Sequence, residues 1–176
     1  MPKLADEESK GHLANIHDKY RTVALNKKYY GWRLQRLQLV NRILDILIVM
    51  GTTGSGVAGL AVWQLQYGQV AWAVINTAAI FISAIKPVLD LPKTIERYGK
   101  LVGEHAALLE TYRTMEQDIW ATQCLTSEQL ETFTQLRKRS AELAQLDDVS
   151  PVKKLIVQAR MEVNQAIPPT SLWMPA

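Results

Sequence analysis

Cysteine and net charge are both scarce in this chain, and each scarcity excludes a class of protein. Cys124 is the only cysteine, so no intramolecular disulfide can form, as is usual in a reducing compartment. Charged residues make up 21% and aromatic residues 7% of the 176 residues, which is the composition of a folded chain with a core rather than of a disordered one. The net charge of +3 is too small to indicate nucleic-acid binding, and we expect none.

The most extensive absence is that of charge in the middle of the chain. From Ile46 to Ile85, forty consecutive residues include no Asp, Glu, Lys, Arg or His. A membrane-spanning helix needs about 20 apolar residues to cross a hydrocarbon core of about 30 Å. We therefore predict a transmembrane helical hairpin over residues 46–85, with a turn at about residues 65–69. The alternative is an apolar hairpin buried in a soluble helical bundle.

Residues 54–59 read GSGVAG, which matches the GxGxxG pattern of dinucleotide-binding turns. Such a turn also needs an acidic residue about 20 positions later to hold the ribose. The first acidic residue after Gly59 is Asp90, so the match lacks its context. We interpret Gly51, Ser55 and Gly59, which are spaced four apart, as a small face that lets two membrane helices approach closely.

Polar residues in the uncharged segment are candidates for a pore lining. They are Thr52, Thr53, Ser55, Asn76, Thr77 and Ser83. Two helices cannot enclose water, so a pore requires oligomers, and the alternative use of these groups is hydrogen bonding between helices. Membrane-interface positions are predicted at Trp63, Tyr67 and Trp72 around the turn and at Asp45 and Lys86, which end the two spans and could pair.

Basic residues flank the uncharged segment on both sides and are absent from its turn. They are Lys27, Lys28, Arg33, Arg36 and Arg42 before it and Lys86, Lys93, Arg97 and Lys100 after it. The positive-inside rule then places both termini in the cytoplasm. Residues 27–42 are expected to contact anionic lipid headgroups. The polar N-terminus predicts no cleavable signal peptide.

Outside this segment the apolar residues recur at alternating spacings of three and four, a pattern that we call a seam. The first seam is Leu13, Ile16, Tyr20, Val23, Lys27, Tyr30, Leu34, Leu37, Asn41 and Leu44; the second is Tyr98, Leu101, His105, Leu108, Tyr112, Met115 and Ile119. Both predict long helices packed along one face. The chain is therefore predicted to be all-α, with a cytoplasmic bundle formed by residues 1–45 and 86–167 and an extended tail at 168–176.

Local signals refine the helices after the hairpin. Thr126 with Gln129 predicts a capping box, and the preceding helix is expected to end near residues 120–123. Ser150 and Pro151 predict the start of a last helix. Pro87 and Pro92 predict a short bend between them.

No catalytic or metal-binding pattern is present. His12 and His17 are five apart, on different helical faces, and His105 lies in no HExxH pattern. A histidine in a seam is typical of a packed, hydrogen-bonded core. Cys124 has no recognisable base, so we expect neither an enzyme nor a cofactor.

The layout resembles the SLATT superfamily. The resemblance rests on Tyr29-Tyr30-Gly31-Trp32 before a two-span hairpin and on the later seam through Tyr98, Leu101, Leu108 and Tyr112. It implies a bacterial inner-membrane effector of antiviral or other conflict systems that forms a pore as a homo-oligomer. It also implies a nucleotide-signal or sensor protein as a partner. Two rival hypotheses remain: a non-conducting adaptor that recruits a partner, for instance through Trp173, and an enzyme that uses the GSGVAG turn.

Overall fold

The computed structural model describes residues 6–53, 67–148 and 150–171, and the all-α prediction is confirmed for them. They form five α-helices and no strand. The helices are α1 (Asp6–Thr53), α2 (Gly68–Leu89), α3 (Leu91–Thr122), α4 (Ser127–Ala144) and α5 (Lys153–Ala166), followed by a 3-10 turn (Pro169–Ser171). The turn lies within the tail that was predicted to be extended, and Trp173 lies outside the described residues.

The chain forms two compact units. The first, which we call the terminal unit, combines residues 1–32 with residues 98–176 and is a helical bundle. The second, the central unit, comprises residues 33–97.

The core of the terminal unit follows the two seams. All seven residues of the second seam are buried: Tyr98, Leu101, His105, Leu108, Tyr112, Met115 and Ile119. From the first seam, Leu13, Ile16, Val23 and Tyr30 are buried, whereas Tyr20 and Lys27 are half-buried. Phe133 and Leu143 of α4 and Leu155, Ala159 and Val163 of α5 also belong to this core. Spacing of three and four therefore predicts the face of α1 and α3 that packs, because it keeps side chains on one side of a helix.

Two of the predicted helix boundaries agree with the structure, and one does not. Helix α3 ends at Thr122, and the capping box is present, since Thr126 Oγ1 accepts from Gln129 N at 3.3 Å and Gln129 Oε1 accepts from Thr126 N at 2.9 Å. The predicted start of the last helix at Ser150 and Pro151 is wrong, because the helix begins at Lys153.

The reason for that later start is an extended residue with a partner in another helix. Val152 is the N-cap residue and has β-region backbone angles. Its N–H donates to the Tyr29 hydroxyl at 3.2 Å, so this backbone donor is satisfied by α1. The chain before Lys153 is therefore held in place by a tertiary contact rather than by a side-chain cap.

The bend predicted between the two prolines is a single residue. Pro87 lies inside α2, Pro92 is the second residue of α3, and only Asp90 interrupts the helices. Asp90 has φ 43° and ψ 40°, the left-handed conformation that Asp tolerates better than most residues. One left-handed residue after Leu89 is enough to end α2 and redirect the chain.

Of the two spans predicted for the hairpin, the structure describes one candidate. In the part of the chain that the structure describes, one helix, α2, is long and apolar enough to cross a membrane, not two. Residues 46–53 of the first predicted span are the end of the 48-residue α1, and the rest of that span, 54–64, lies outside the described residues. Of the predicted turn, Tyr67 precedes α2, while Gly68 and Gln69 belong to its first turn.

Candidate functional site

The exposed surface of α2 is the most unusual feature of the central unit. Its 22 residues span about 33 Å at 1.5 Å per residue, comparable with a hydrocarbon core of about 30 Å. Its large apolar side chains face outward. The exposed fraction is 52–83% for Val70, Val74, Ile80, Phe81, Ile85 and Val88. A contiguous exposed apolar surface of this kind is typical of a region that contacts protein or lipid.

The end of α1 continues the apolar surface. Leu39, Val40, Ile43, Ile46, Leu47, Val49 and Met50 are all at least 40% exposed. Among the described residues of the central unit, Ala79 and Leu91 are the only buried apolar side chains. The described part of the unit therefore has almost no core of its own and turns its apolar residues outward.

A narrow face of α2 packs against α1 at a glycine. A Cβ atom added to Gly51 would overlap the Cβ of Ala79, and Ala79 is buried. The absence of a side chain at Gly51 therefore allows the close approach that its small-residue spacing predicts. Ser55 and Gly59, the other two members of the predicted small face, lie outside the described residues.

The predicted pore-lining residues of α2 fall on two faces. Asn76 and Ser83 are half-buried on the side of Ala79, whereas Thr77 is exposed. Each bonds a carbonyl four residues earlier: Asn76 Nδ2 donates to Trp72 O at 2.9 Å, Thr77 Oγ1 to Ala73 O at 2.8 Å and Ser83 Oγ to Ala79 O at 2.8 Å. Of the three, Thr77 alone presents a polar group on the open apolar surface. The side chains of Thr52 and Thr53, and Ser55, lie outside the described part of the chain.

The two charged residues that end the uncharged segment come together. Lys86 Nζ donates to Asp45 Oδ1, and Asn41 Nδ2 donates to Asp45 Oδ2 at 3.0 Å. Asn41 is a polar member of the first seam, so this seam position supports an ion pair between α1 and α2. Mutual neutralisation lowers the cost of placing both charges beside apolar surface.

The aromatic residues predicted at a membrane interface differ in exposure. Tyr67 is 74% exposed, whereas Trp72 is half-buried on the face of α2 that carries Ala79. Trp63 lies outside the described residues. Trp72 thus has a packing role that its position near the turn does not predict.

Part of the basic stretch predicted to contact lipid is used inside the terminal unit. Lys28 Nζ donates to Glu162 Oε2 at 2.8 Å, which ties α1 to α5. Arg21, earlier in α1, donates to Ile167 O at 3.1 Å and to Asn164 Oδ1 at 2.5 Å. These bonds seat α5 on α1.

Sequence reasoning missed a cluster of tyrosines around an acidic loop. Tyr29 Oη donates to Asp148 Oδ2 at 2.7 Å, Tyr30 Oη donates to Asp147 Oδ1 at 2.5 Å, and Tyr98 Oη donates to Asp148 Oδ1. We call these five residues the tyrosine clamp. It fixes the loop between α4 and α5 to α1 and α3. The only signal for it in the sequence is two adjacent aspartates, which are equally typical of an exposed loop.

A buried histidine lies against the clamp. His105 is 2% exposed and stacks on Tyr30, with ring centroids 5.6 Å apart and planes 6° apart. The prediction of a packed histidine agrees with this burial, but neither ring nitrogen has a hydrogen-bond partner among the described residues. Burial lowers the pKa of His105 below its ordinary value, while the charges of Asp147 and Glu104 oppose that shift. Burial, followed by the hydrogen bond to Asp147, raises the pKa of Tyr30 well above its ordinary range.

No group of three or more His, Cys, Asp or Glu suited to a metal ion occurs in the described part of the chain. In comparisons with protein-family models, curated proteins and solved structures, the chain matches none of them. The arrangement itself defines an all-α protein with a bundle and one exposed helix capable of crossing a membrane.

Proposed function

We propose that this chain is an oligomeric bacterial inner-membrane effector of the SLATT kind, which forms or gates a pore under the control of its helical bundle. The observation that carries the proposal is α2, a 22-residue helix whose residues 68–85 carry no charge and whose exposed apolar face carries the Thr77 hydroxyl. In a homo-oligomer, Thr77 of each copy would contribute one hydroxyl to a ring.

The same proposal fixes the topology. Both termini are cytoplasmic, since basic residues flank the uncharged segment on both sides. Two crossings are then needed. Helix α2 would supply one, and the forty uncharged residues 46–85 are enough for two spans of about 20 residues each. The terminal unit then faces the cytoplasm, where a nucleotide-signal or sensor protein of a conflict system would act on it.

The test is ion flux combined with the oligomeric mass. The detergent-solubilised chain is expected to form a defined oligomer by light scattering, and liposomes containing it are expected to release a trapped ion. Thr77→Val removes the hydroxyl but keeps the shape, and it should reduce flux strongly while the mass is unchanged.

The chain offers a matched control for this variant. Thr134 on α4 is also exposed, and its Oγ1 also donates to the carbonyl four residues earlier, at 2.9 Å. Thr134→Val should leave flux unchanged. A monomeric chain without flux, or equal flux from Thr77→Val and wild type, would contradict the pore.

A second candidate is a non-conducting membrane anchor that presents the terminal unit to a soluble partner. One observation favours it: the hydroxyls of Thr77 and Ser83 and one of the two amide donors of Asn76 are bonded within α2, so these donors do not require water. An anchor predicts membrane residence without flux, and its activity should survive Thr77→Val. The flux measurement therefore separates the two candidates.

A further inference from the structure

A cavity of about 400 Å³ opens in the terminal unit between the start of α1, the end of α3 and the 3-10 turn. Leu13, Ile16 and Ile119 form apolar walls, and these three side chains are at most 5% exposed. Cavities of about 300–1,000 Å³ with apolar walls and a few polar groups are typical of sites for small organic molecules. Neither the membrane proposal nor the seams account for this space.

The polar end of the cavity is a histidine–carboxylate pair. His17 Nδ1 lies 2.7 Å from Glu116 Oε1, and His17 Nε2 lies 3.2 Å from the carbonyl oxygen of Pro168. His17 is 4% exposed, so its ring is fixed from both sides. A carboxylate has about four acceptor positions, so the bond with His17 leaves Glu116 able to accept from another donor.

The charge of the lining selects the sign of a ligand. Glu116 is the acidic residue among the described lining residues, and none of them is Lys or Arg. An anionic ligand would meet the Glu116 carboxylate, whose partner within the lining is the His17 imidazole. A cationic ligand would gain a charge-assisted hydrogen bond there.

The rim of the cavity carries an exposed aromatic ring. Trp120 is 63% exposed, although it follows the buried Ile119 at the end of the second seam. An indole face attracts cations and stacks on flat apolar groups. Trp120 and Glu116 are four residues apart on α3, which places both on one side of the helix.

The geometry points to a binding site for a small organic ammonium ion with a flat apolar body. The ammonium group donates to Glu116, the apolar body fills the space between Leu13, Ile16 and Ile119, and Trp120 covers the opening. His17 is a positioning residue that orients the Glu116 carboxylate. The site belongs to the terminal unit alone and does not depend on α2 entering a membrane.

Three probes of similar shape and different charge test the site: phenethylamine, 2-phenylethanol and phenylacetate. Each is titrated calorimetrically into the full chain in detergent, with the heat of the detergent alone subtracted. Phenethylamine is expected to bind at least about tenfold more tightly than the neutral alcohol, as a charge-assisted bond implies, and phenylacetate is expected not to bind.

Variants assign the selectivity to named groups. Glu116→Gln should weaken phenethylamine binding about tenfold and leave phenylethanol within about twofold, since the shape is kept. Trp120→Ala, at an exposed position that should not affect folding, should weaken both probes. Glu131→Gln is the charge control, because Glu131 is an exposed residue of α4 outside the cavity lining. Circular dichroism checks that each variant is folded.

Several results would overturn the proposal. They are equal affinity for the amine and the alcohol, tighter binding of phenylacetate, the absence of saturable heat with phenethylamine up to about 10 mM, and equal behaviour of Glu116→Gln and Glu131→Gln. Loss of ion flux in the test of the membrane proposal would leave this site untouched, so the two proposals fail separately.

Discussion

The terminal and central units share the same periodic spacing of apolar residues, but the outer faces of their helices differ. In the terminal unit most of the seam of α1 is buried and its outer face is polar, with Lys10, Asp18 and Thr22 exposed. In the central unit the seam is only half-buried, and the outer face carries Leu39 and Ile43. Seam spacing therefore reports which side of a helix packs on protein. The opposite face reports which solvent surrounds it, water in one unit and lipid in the other under our proposal.

The largest expected effect distinguishes a leucine in the core from one on the surface. Leu101→Ala, at a position with 0% exposure, should lower the free energy of unfolding by about 2–5 kcal/mol, because it leaves a cavity. The matched variant is Leu39→Ala in the central unit, 58% exposed, with an expected loss of under about 0.5 kcal/mol. Urea unfolding in detergent, followed by circular dichroism, measures both. Similar losses would show that the central unit packs against protein more than its exposure indicates.

The next effect tests whether the exposed faces of α2 and α5 have different surroundings, lipid and water. Ile80→Lys places a charge near the middle of α2, at a residue that is 69% exposed, and should disfavour membrane insertion by about 2.5–3.5 kcal/mol. Val157→Lys on α5, 55% exposed, makes the same change in the terminal unit and should be tolerated. Fractionation into membrane and soluble pools is the measurement. Equal membrane residence of both variants would argue against α2 as a span.

A smaller effect distinguishes a tyrosine of the tyrosine clamp from an exposed tyrosine. Tyr98→Phe removes a hydrogen bond to the Asp148 carboxylate and should lower stability by about 1.5–3 kcal/mol, the range for bonds to charged groups. Tyr67→Phe, 74% exposed before α2, is the control and should lower it by less than about 0.5 kcal/mol. Thermal melts compare the two. If Tyr98→Phe melted like its control, the tyrosine clamp would add nothing to stability.

The smallest effect is the pH dependence of the buried histidine. Because burial lowers the pKa of His105 below 6.5, the folded chain binds this proton less well than the unfolded chain does. The neutral His105 ring therefore makes its full contribution to folding stability above pH 6.5, and this contribution is lost as the pH falls below that value.

Melting temperatures between about pH 7.5 and 5.5 show the effect. His105→Phe should make the fall of the melting temperature with falling pH shallower. Leu108→Met, a core change without a titrating group, should shift the melting temperature by the same amount at every pH. An equally steep decline in His105→Phe would assign the acid sensitivity to other groups.

Sequence reasoning succeeded where one helix carries the whole signal. The burial from Tyr98 to Ile119, the capping box at Thr126 and the end of α3 all depend on residues within a few positions of one another. Periodicity and capping are local, so a single sequence contains them.

It failed where the partner is distant in the chain. The bond of Tyr29 to Asp148 joins residues 119 positions apart, and that of Tyr30 to Asp147 joins residues 117 positions apart. The cavity beside Trp120 likewise needs α1, α3 and the 3-10 turn to meet. Nothing in the local pattern distinguishes these aspartates and this tryptophan from ordinary exposed residues.

The discontinuity of the terminal unit sets an order of events during synthesis. Its first 32 residues cannot bury Leu13, Val23 or Tyr30 until residues 98–163 have left the ribosome. The uncharged residues 46–85 emerge in between. Under the membrane proposal, the nascent chain would therefore insert its uncharged middle before its two ends can close on each other.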